Sequence, residues 1–312
     1  MTALILAGIG AAAGKTALAC GIAGRWQPAG KRVTYASVGP DAAEQAAFVA
    51  GALSLDAADC VAVAAPVDLT LPPADVTLVE LADSLSMYAG ALAQRLEGRV
   101  LLVARYRQHL SAAGLLAQRQ QHMAGFVVNG VPARFTLPLR EQLQEPLAAA
   151  GVPLLGLVPE ERALMGFTVG ELASHLGATY LCRPDRADEL IENLMLGPNA
   201  ADPAFSYFQA KPRTAIICRA NRPDLQLTAL EAPVNCMVFT GNGHVQTSVV
   251  YRAEDAGVPI LAVPDDTIGA VHRLDGLVER VRFRQAAKTA VVQDLVDGRL
   301  DWARLEHALG LL

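Results

Sequence analysis

Lysine is scarce in this 312-residue sequence: of 26 basic residues only Lys15, Lys31, Lys211 and Lys288 are lysines. A phosphate site that needed several lysines has few candidates, so Lys15 is conspicuous. A formal net charge of −5 supplies no broad cationic field, which argues against nucleic acid as the main partner. No stretch reaches about 18 uninterrupted apolar residues, so no membrane partner is expected. The five cysteines, Cys20, Cys60, Cys182, Cys218 and Cys236, are odd in number and scattered. With no C-x-x-C pair for zinc or redox work, they read as buried small hydrophobes. There is no internal repeat and no low-complexity tract. The start, Met1 to Ala7, lacks a basic segment and runs straight into glycines, so it reads as a first strand rather than a secretory signal and points to the cytoplasm.

What is present is apolar and regularly punctuated. Hydrophobic residues make up 52% of the chain against 18% charged, enough to fill the cores of two ordinary α/β domains. Short apolar runs at Ala3–Leu6, Val33–Tyr35, Val76–Val79, Val100–Val103, Gly125–Val128 and Leu154–Val158 alternate with helical-length segments. That alternation predicts a mostly parallel sheet with helices on both faces. Helices are expected over Ala17–Trp26 and Ala42–Leu53, and Gly151-Val152-Pro153 stops the helix carrying Leu147 to Ala150. The pattern pauses at Arg183-Pro184-Asp185, and turn formers crowd Gly197 to Pro203. A boundary near 183 therefore divides the chain into a domain over 1–183 and a smaller α/β domain over 184–312. In the latter, strands are expected at Thr214–Ile217, Cys236–Thr240 and Pro259–Val263, with helices near Asp224–Glu231 and Gln246–Asp255. From Gln285 onward the pattern is helical, with Ala290, Val291, Leu295, Trp302, Leu305 and Leu309 as its buried stripe.

The first loop carries the chemistry. Gly8-Ile9-Gly10-Ala11-Ala12-Ala13-Gly14-Lys15-Thr16 follows an apolar strand and opens a helix, the setting in which consecutive backbone N–H groups converge on phosphate oxygens. Gly8, Gly10, Ala13 and Gly14 would line the cradle, Lys15 would reach the β- and γ-phosphates, and the Thr16 hydroxyl would help hold magnesium. The usual spacing G-x-x-x-x-G-K-[ST] asks for glycine at position 9, where Ile9 stands. The alternative is a tight strand-to-helix turn whose ligand site is dead.

The glycine, five residues, then Gly14-Lys15-Thr16 resembles the loop of dethiobiotin synthetase and its relatives. Val76-Thr77-Leu78-Val79-Glu80 followed by Ser84-Leu85-Ser86 is similar to the dethiobiotin-synthetase-like N-terminal region of long bacterial phosphotransacetylases. So are Val100 to Tyr106 and Gly125-Phe126-Val127-Val128-Asn129-Gly130-Val131-Pro132. Glu192 to Met195, Asn221-Arg222-Pro223-Asp224-Leu225-Gln226-Leu227, Thr240-Gly241-Asn242-Gly243 and Pro264-Asp265-Asp266-Thr267 resemble the DRTGG domain that follows it there. The resemblance spans about residues 2 to 284, in order, and implies a P-loop-type sheet domain followed by a smaller DRTGG-like domain. The large acetyltransferase domain of those enzymes has no counterpart in these residues, so acetyl transfer is not expected.

The resemblance also implies roles. Glu80 takes the place of an acidic residue near magnesium; as a strand-end carboxylate it could equally be solvated. Asp83 is a second possible metal ligand. Where carboxylate-activating relatives carry a Lys-Pro pair, this chain has Val33 to Pro40 with no lysine, which removes a charge that stabilises phosphoryl transfer; Ser37 could donate only a neutral hydrogen bond. Asp41 could serve magnesium or cap the following helix. Asn129 takes the place of a purine-reading asparagine, although Asn-Gly is also a common turn, and Pro159 would lie beside it. In the second domain, Asn221, Arg222, Thr240, Gly241 and Asn242 follow strands and could bind a ligand or simply end them. Asp265 or Asp266 is expected to cap the helix starting near Ile268.

Together these readings describe a regulatory or sensor protein that binds ATP, or another nucleoside triphosphate, with Mg²⁺. A homodimer, and a metabolic enzyme as a further partner, are implied by domain class and resemblance. The alternatives are an ATP-dependent carboxylate-activating ligase of the dethiobiotin synthetase or cobyrinic acid diamide synthase type, and a scaffold that binds no nucleotide.

Overall fold

The computed structural model describes residues 2–107, 110–119, 121–198, 204–274, 277 and 283–311. Two compact units emerge. The first combines Met1–Leu164 with Arg282–Leu312, and the second is Met165–Val281.

Seven strands build the first unit: β1 (Thr2–Ile9), β2 (Val33–Val38), β3 (Cys60–Val63), β4 (Val76–Leu81), β5 (Arg99–Arg105), β6 (Met123–Val131) and β7 (Leu154–Pro159). All pair in parallel, in the order β3-β2-β4-β1-β5-β6-β7. The alternation along β1 shows why both faces are covered. Leu4 and Leu6 join one buried layer with Leu18, Ile22 and Trp26 of α1 (Lys15–Trp26) and Val49 of α2 (Ala42–Leu53). Ala3, Ile5 and Ala7 join the opposite layer with Leu92 of α3 (Ala89–Arg95), Leu115 of α4 (Ala112–Leu116) and Leu143 and Leu147 of α5 (Thr136–Ala149). A strand buried on both faces reads as a continuous apolar run, which is what each expected segment shows. The seventh strand, β3, lies outside the six expected segments although its Cys60-Val61-Ala62-Val63 is also apolar; it is a half-exposed edge strand.

The C-terminal segment belongs to this first unit, not to the second domain. Its two helices, Thr289–Asp297 and Trp302–Leu309, place Val292, Val296, Leu305 and Leu309 in the layer of Leu4 and Trp26. Trp26 Nε1 donates to Glu306 Oε1 at 2.9 Å, and the Asp301 amide donates to the Leu155 carbonyl at 2.7 Å. Leu305 and Leu309 are buried as expected, but Ala290 is exposed and Val291 and Leu295 are half-buried. The buried face of the first helix is shifted because it closes on Gly21 and Gly24 of α1, and those two positions set its phase.

After a short helix, α6 (Arg162–Met165), the second unit begins, so the expected boundary at 183 falls inside it. The chain enters through β8 (Phe167–Thr168), α7 (Val169–Leu176), β9 (Thr179–Cys182), β10 (Leu190–Ile191) and β11 (Asn193–Leu196). It continues through α8 (Ala204–Phe208), β12 (Thr214–Arg219), α9 (Pro223–Leu230), β13 (Val234–Thr240), α10 (Thr247–Ala256), β14 (Ile260–Val263) and α11 (Thr267–Leu274). The main sheet runs β11-β12-β13-β14-β9, parallel except for β9, which pairs antiparallel to β14. Arg183-Pro184-Asp185 is a turn within this unit, with Arg183 at φ 52° leading into a 3₁₀ turn over Pro184–Arg186. Of the turn-forming stretch from Gly197 to Pro203, residues 199–203 lie outside the described residues. Ile216 and Cys218 of β12 pack on one face with Phe239, Leu225 and Val249, and Ala215 and Ile217 on the other with Val238, Leu172 and Ala270. Among the described residues no helix is long and apolar enough to cross a membrane. All five cysteines are free, and four are buried.

The close approach at Gly21 yields a test. A Cβ there would stand 2.5 Å from Val296 Cγ2 and 2.7 Å from Val296 Cβ. Gly21→Ala gains about 1 kcal/mol in helix propensity but forces overpacking that costs about 1–3 kcal/mol. A lower urea midpoint is expected for Gly21→Ala, and recovery in the double variant with Val296→Ala; a Gly21→Ala protein as stable as the parent would refute tight α1 packing.

Candidate functional site

Parallel registry brings the carboxyl ends of the central strands to one edge of the first sheet, where open α/β sheets hold ligands. Glu80 pairs with Leu6 on one side and Ser37 on the other, Ile9 pairs with Ala104, and Arg105 with Asn129. The glycine-rich segment leaves this edge. β1 continues through Ile9, so the missing glycine at that position is not needed; Gly10 (φ 80°), Ala12 (φ 55°) and Gly14 (φ 89°) take the left-handed conformations instead. Alternating left-handed residues turn successive amides toward a common centre, the geometry of an anion nest.

Lys15 and Thr16 open α1. The Lys15 ammonium, only 8% exposed, pairs with the Asp83 carboxylate. Thr16 Oγ1 donates to Glu80 Oε1 at 2.9 Å. Glu80 is buried at the strand end and collects two further donors: Gln45 Nε2 at 2.7 Å on Oε1, and the Tyr35 hydroxyl at 2.7 Å on Oε2. Gln45 Nε2 also donates to Thr16 Oγ1 at 2.6 Å, while its Oε1 accepts from Ser37 Oγ at 3.1 Å. Burial pushes the Glu80 carboxyl above the usual range; the Lys15 charge and the hydrogen bonds from Tyr35, Thr16 and Gln45 pull it back. Burial first, and Glu80 second, push the nearby Cys20 thiol up to about 12.

The other expected residues fall around this core. Gly8 donates its amide to Ser86 Oγ at 3.1 Å. Ala13 is fully buried, and its carbonyl accepts from Asn129 Nδ2 at 3.2 Å, so the Asn129 side chain braces the loop. Pro159 stands half-buried at the end of β7, one register step from Asn129, which pairs with Val158. Asp41 is exposed at the N-cap of α2 with no side-chain capping bond; Gln45 is the α2 residue that enters the Thr16–Glu80 network. Ordinary sequence reading passes over Gln45 and Tyr35, because a mid-helix glutamine and a mid-strand tyrosine carry no motif. Arg107 is a further cation at the loop, its Nη2 3.9 Å from where a Cβ on Gly10 would stand. Among the described residues no three His, Cys, Asp or Glu side chains cluster as a protein-only metal centre. A divalent ion would fit here only with ligand oxygens completing what Thr16 and Glu80 begin.

In the second unit the expected ligand residues also gather at strand ends, but much of their bonding is internal. Arg222 grips Asp224, with Nε at 2.9 Å from Oδ1 and Nη2 at 2.7 Å from Oδ2. Thr240 is buried, bonded to the Cys218 carbonyl at 3.3 Å and to Thr267 Oγ1 at 2.8 Å. Gly241, at φ 81°, donates to the Asp265 carbonyl at 2.6 Å. Asn221 and Asn242 are exposed. Asp266 accepts from the Gly269 amide at 2.7 Å and caps α11, as one of the two aspartates was expected to. Gln226 went unnoticed in the sequence: fully buried, it donates to the Arg219 and Ala220 carbonyls and holds the turn after β12.

A sequence comparison settles what this unit is. The DRTGG-domain family matches residues 171–277. The chain carries a DRTGG domain. Among solved structures, one similar chain contains the CBS and DRTGG domains of the regulatory region of Clostridium perfringens pyrophosphatase, complexed with its activator diadenosine tetraphosphate. It is 11% identical, covering 51% of this chain and 74% of that one at a TM-score of 0.31, an overlap too loose to carry an argument about this protein.

Gly14 offers the sharpest test of the loop. A Cβ there would lie 2.0 Å from Asn129 Nδ2, on a residue at φ +89°. Gly14→Ala is expected to cost about 1–3 kcal/mol of stability through backbone strain and the clash. Adding Asn129→Ala should recover only the clash. Equal urea midpoints for the parent and Gly14→Ala would mean that the left-handed turn is not maintained in solution.

Proposed function

We propose that the first unit binds a nucleoside triphosphate, ATP as the leading candidate, together with Mg²⁺, and that the protein is a nucleotide-responsive regulator rather than a carboxylate-activating ligase. The observation that carries this reading is the convergence of a left-handed loop, a buried Lys15 and the Thr16–Glu80 pair at one strand edge. The loop amides and Lys15 suit phosphate oxygens, and the hydroxyl and carboxylate suit a magnesium ion shared with them. Bound magnesium would neutralise phosphate charge at this edge. Asn129, which also braces the loop, and Pro159 beside it are the residues to which this reading assigns the base.

The ligase alternative meets a chemical obstacle. Phosphorylating a carboxylate brings two anions together and needs a cation at the acceptor side. The end of β2 offers Ser37, whose hydroxyl is committed to Gln45, and no lysine. The DRTGG domain alongside accords with a regulatory role, and the dethiobiotin-synthetase and phosphotransacetylase resemblance of the first unit supplies the nucleotide.

Calorimetric titration of the full chain with ATP and Mg²⁺ should show saturable binding. Lys15→Ala should weaken it by at least about tenfold, the loss of a buried charge-assisted contact to phosphate. Phosphate release should stay negligible whichever carboxylate is added. Absence of binding in the parent protein refutes the nucleotide reading, and turnover stimulated by one carboxylate refutes the regulatory one.

A further inference from the structure

The segment Asp83–Tyr88, a run of 3₁₀ turns directly after β4, supplies two groups to the loop. Asp83 neutralises Lys15, and Ser86 Oγ accepts the Gly8 amide at 3.1 Å. These are the loop's ammonium and one of its amides, donors of the kind that phosphate oxygens take. The carboxylate sits directly on the loop: a Cβ on Gly8 would lie 2.8 Å from Asp83 Oδ1 and 2.9 Å from Lys15 Nζ. The segment lies at the surface, with Leu85 packed against the core beneath it. None of its six residues is buried, and Met87 and Tyr88 are 72% and 49% exposed. Asp83 is also unequal to its partner, 41% exposed against 8% for Lys15, so the carboxylate has a path to solvent that the ammonium lacks.

We infer that Asp83 and Ser86 form an internal stand-in for phosphate, and that an arriving polyphosphate must displace the Asp83–Tyr88 segment to reach Lys15 and Gly8. The inference rests on the phosphate-binding reading and adds a regulatory element to it: ligand occupancy is coupled to the position of an exposed segment carrying Met87 and Tyr88. Affinity is set by the difference between phosphate and an already satisfied cation, so relieving the competitor tightens binding.

The test uses the full chain and ATP with Mg²⁺. Asp83→Asn, at a partly exposed position, is expected to bind about tenfold more tightly than the parent, because a neutral amide accepts from Lys15 without an opposing charge and does not repel phosphate. Ser86→Ala should also bind more tightly. In the parent, amides of 84–88 should exchange hydrogen faster at saturating ATP. Unchanged or weaker binding by Asp83→Asn, the latter being the result if Asp83 served the metal, overturns the stand-in, as does unaltered exchange over 84–88. If neither the parent nor Asp83→Asn binds, the phosphate reading itself fails.

Discussion

A carboxylate taken out of water at the end of β4, beside the central strand, organises the strand-end edge of the first unit. Glu80 is buried, and an ionised group in that position is tolerated only when donors and a cation surround it. Thr16 from the loop helix, Gln45 from the second helix and Tyr35 from the neighbouring strand provide the donors, with Lys15 providing the charge. Each donor therefore ties a different element to the same pair of oxygens. Removing one leaves a buried acceptor short of a partner at about 1–3 kcal/mol, so the network holds α1, α2, β2 and β4 in register as much as it prepares a site. The loop inherits its geometry from this anchor, since Thr16 and Lys15 begin the helix that the loop must reach.

The loop is braced from the opposite side by Asn129, bonded to the Ala13 carbonyl and packed against Gly14. With Asp83 and Ser86 engaging Lys15 and Gly8, the loop has several of its polar groups satisfied from within. A site prepared in this way avoids orphaned buried donors before any ligand arrives. Under the proposed reading, an arriving phosphate would have to exchange these partners rather than fill vacant ones.

Much of the architecture was legible in the residues. The six apolar runs of the first unit are strands, because a strand buried on both faces has to be apolar throughout, and the glycine-rich segment lies between β1 and α1 as its setting required. β3 was passed over although Cys60-Val61-Ala62-Val63 is an apolar run; it sits close to Pro66, a residue that strand interiors do not accept, which weakens the strand signal. The boundary was misplaced because Arg183-Pro184-Asp185 looks like a linker and is a turn inside a unit whose closing strand, Thr179–Cys182, precedes it. The tail was assigned to the wrong unit, because amphipathic periodicity states that a helix has a buried face without stating what covers it. At the site, Lys15, Thr16 and Glu80 announced themselves by position, whereas Gln45 and Tyr35 act through long-range placement that no local pattern encodes.

The two units differ in what their strand ends leave available. In the first, the Thr16–Glu80 pair and the Lys15 ammonium meet beside left-handed loop residues, and the contacts that satisfy Lys15 and Gly8 come from a surface segment with no fully buried residue. In the DRTGG domain, Arg222 is clamped by its neighbour Asp224, Thr240 is stitched to β12 and α11, and Gln226 fastens the intervening turn from a fully buried position. The Thr240 and Gln226 bonds are made by buried groups of the elements that form the domain's core, so breaking them to admit a ligand would loosen the fold, whereas the Arg222–Asp224 pair lies at the surface. Asn221 and Asn242 lie exposed, are polar but uncharged, and offer an anion no ionic attraction. The asymmetry favours the first unit over the second as the seat of the proposed phosphate site.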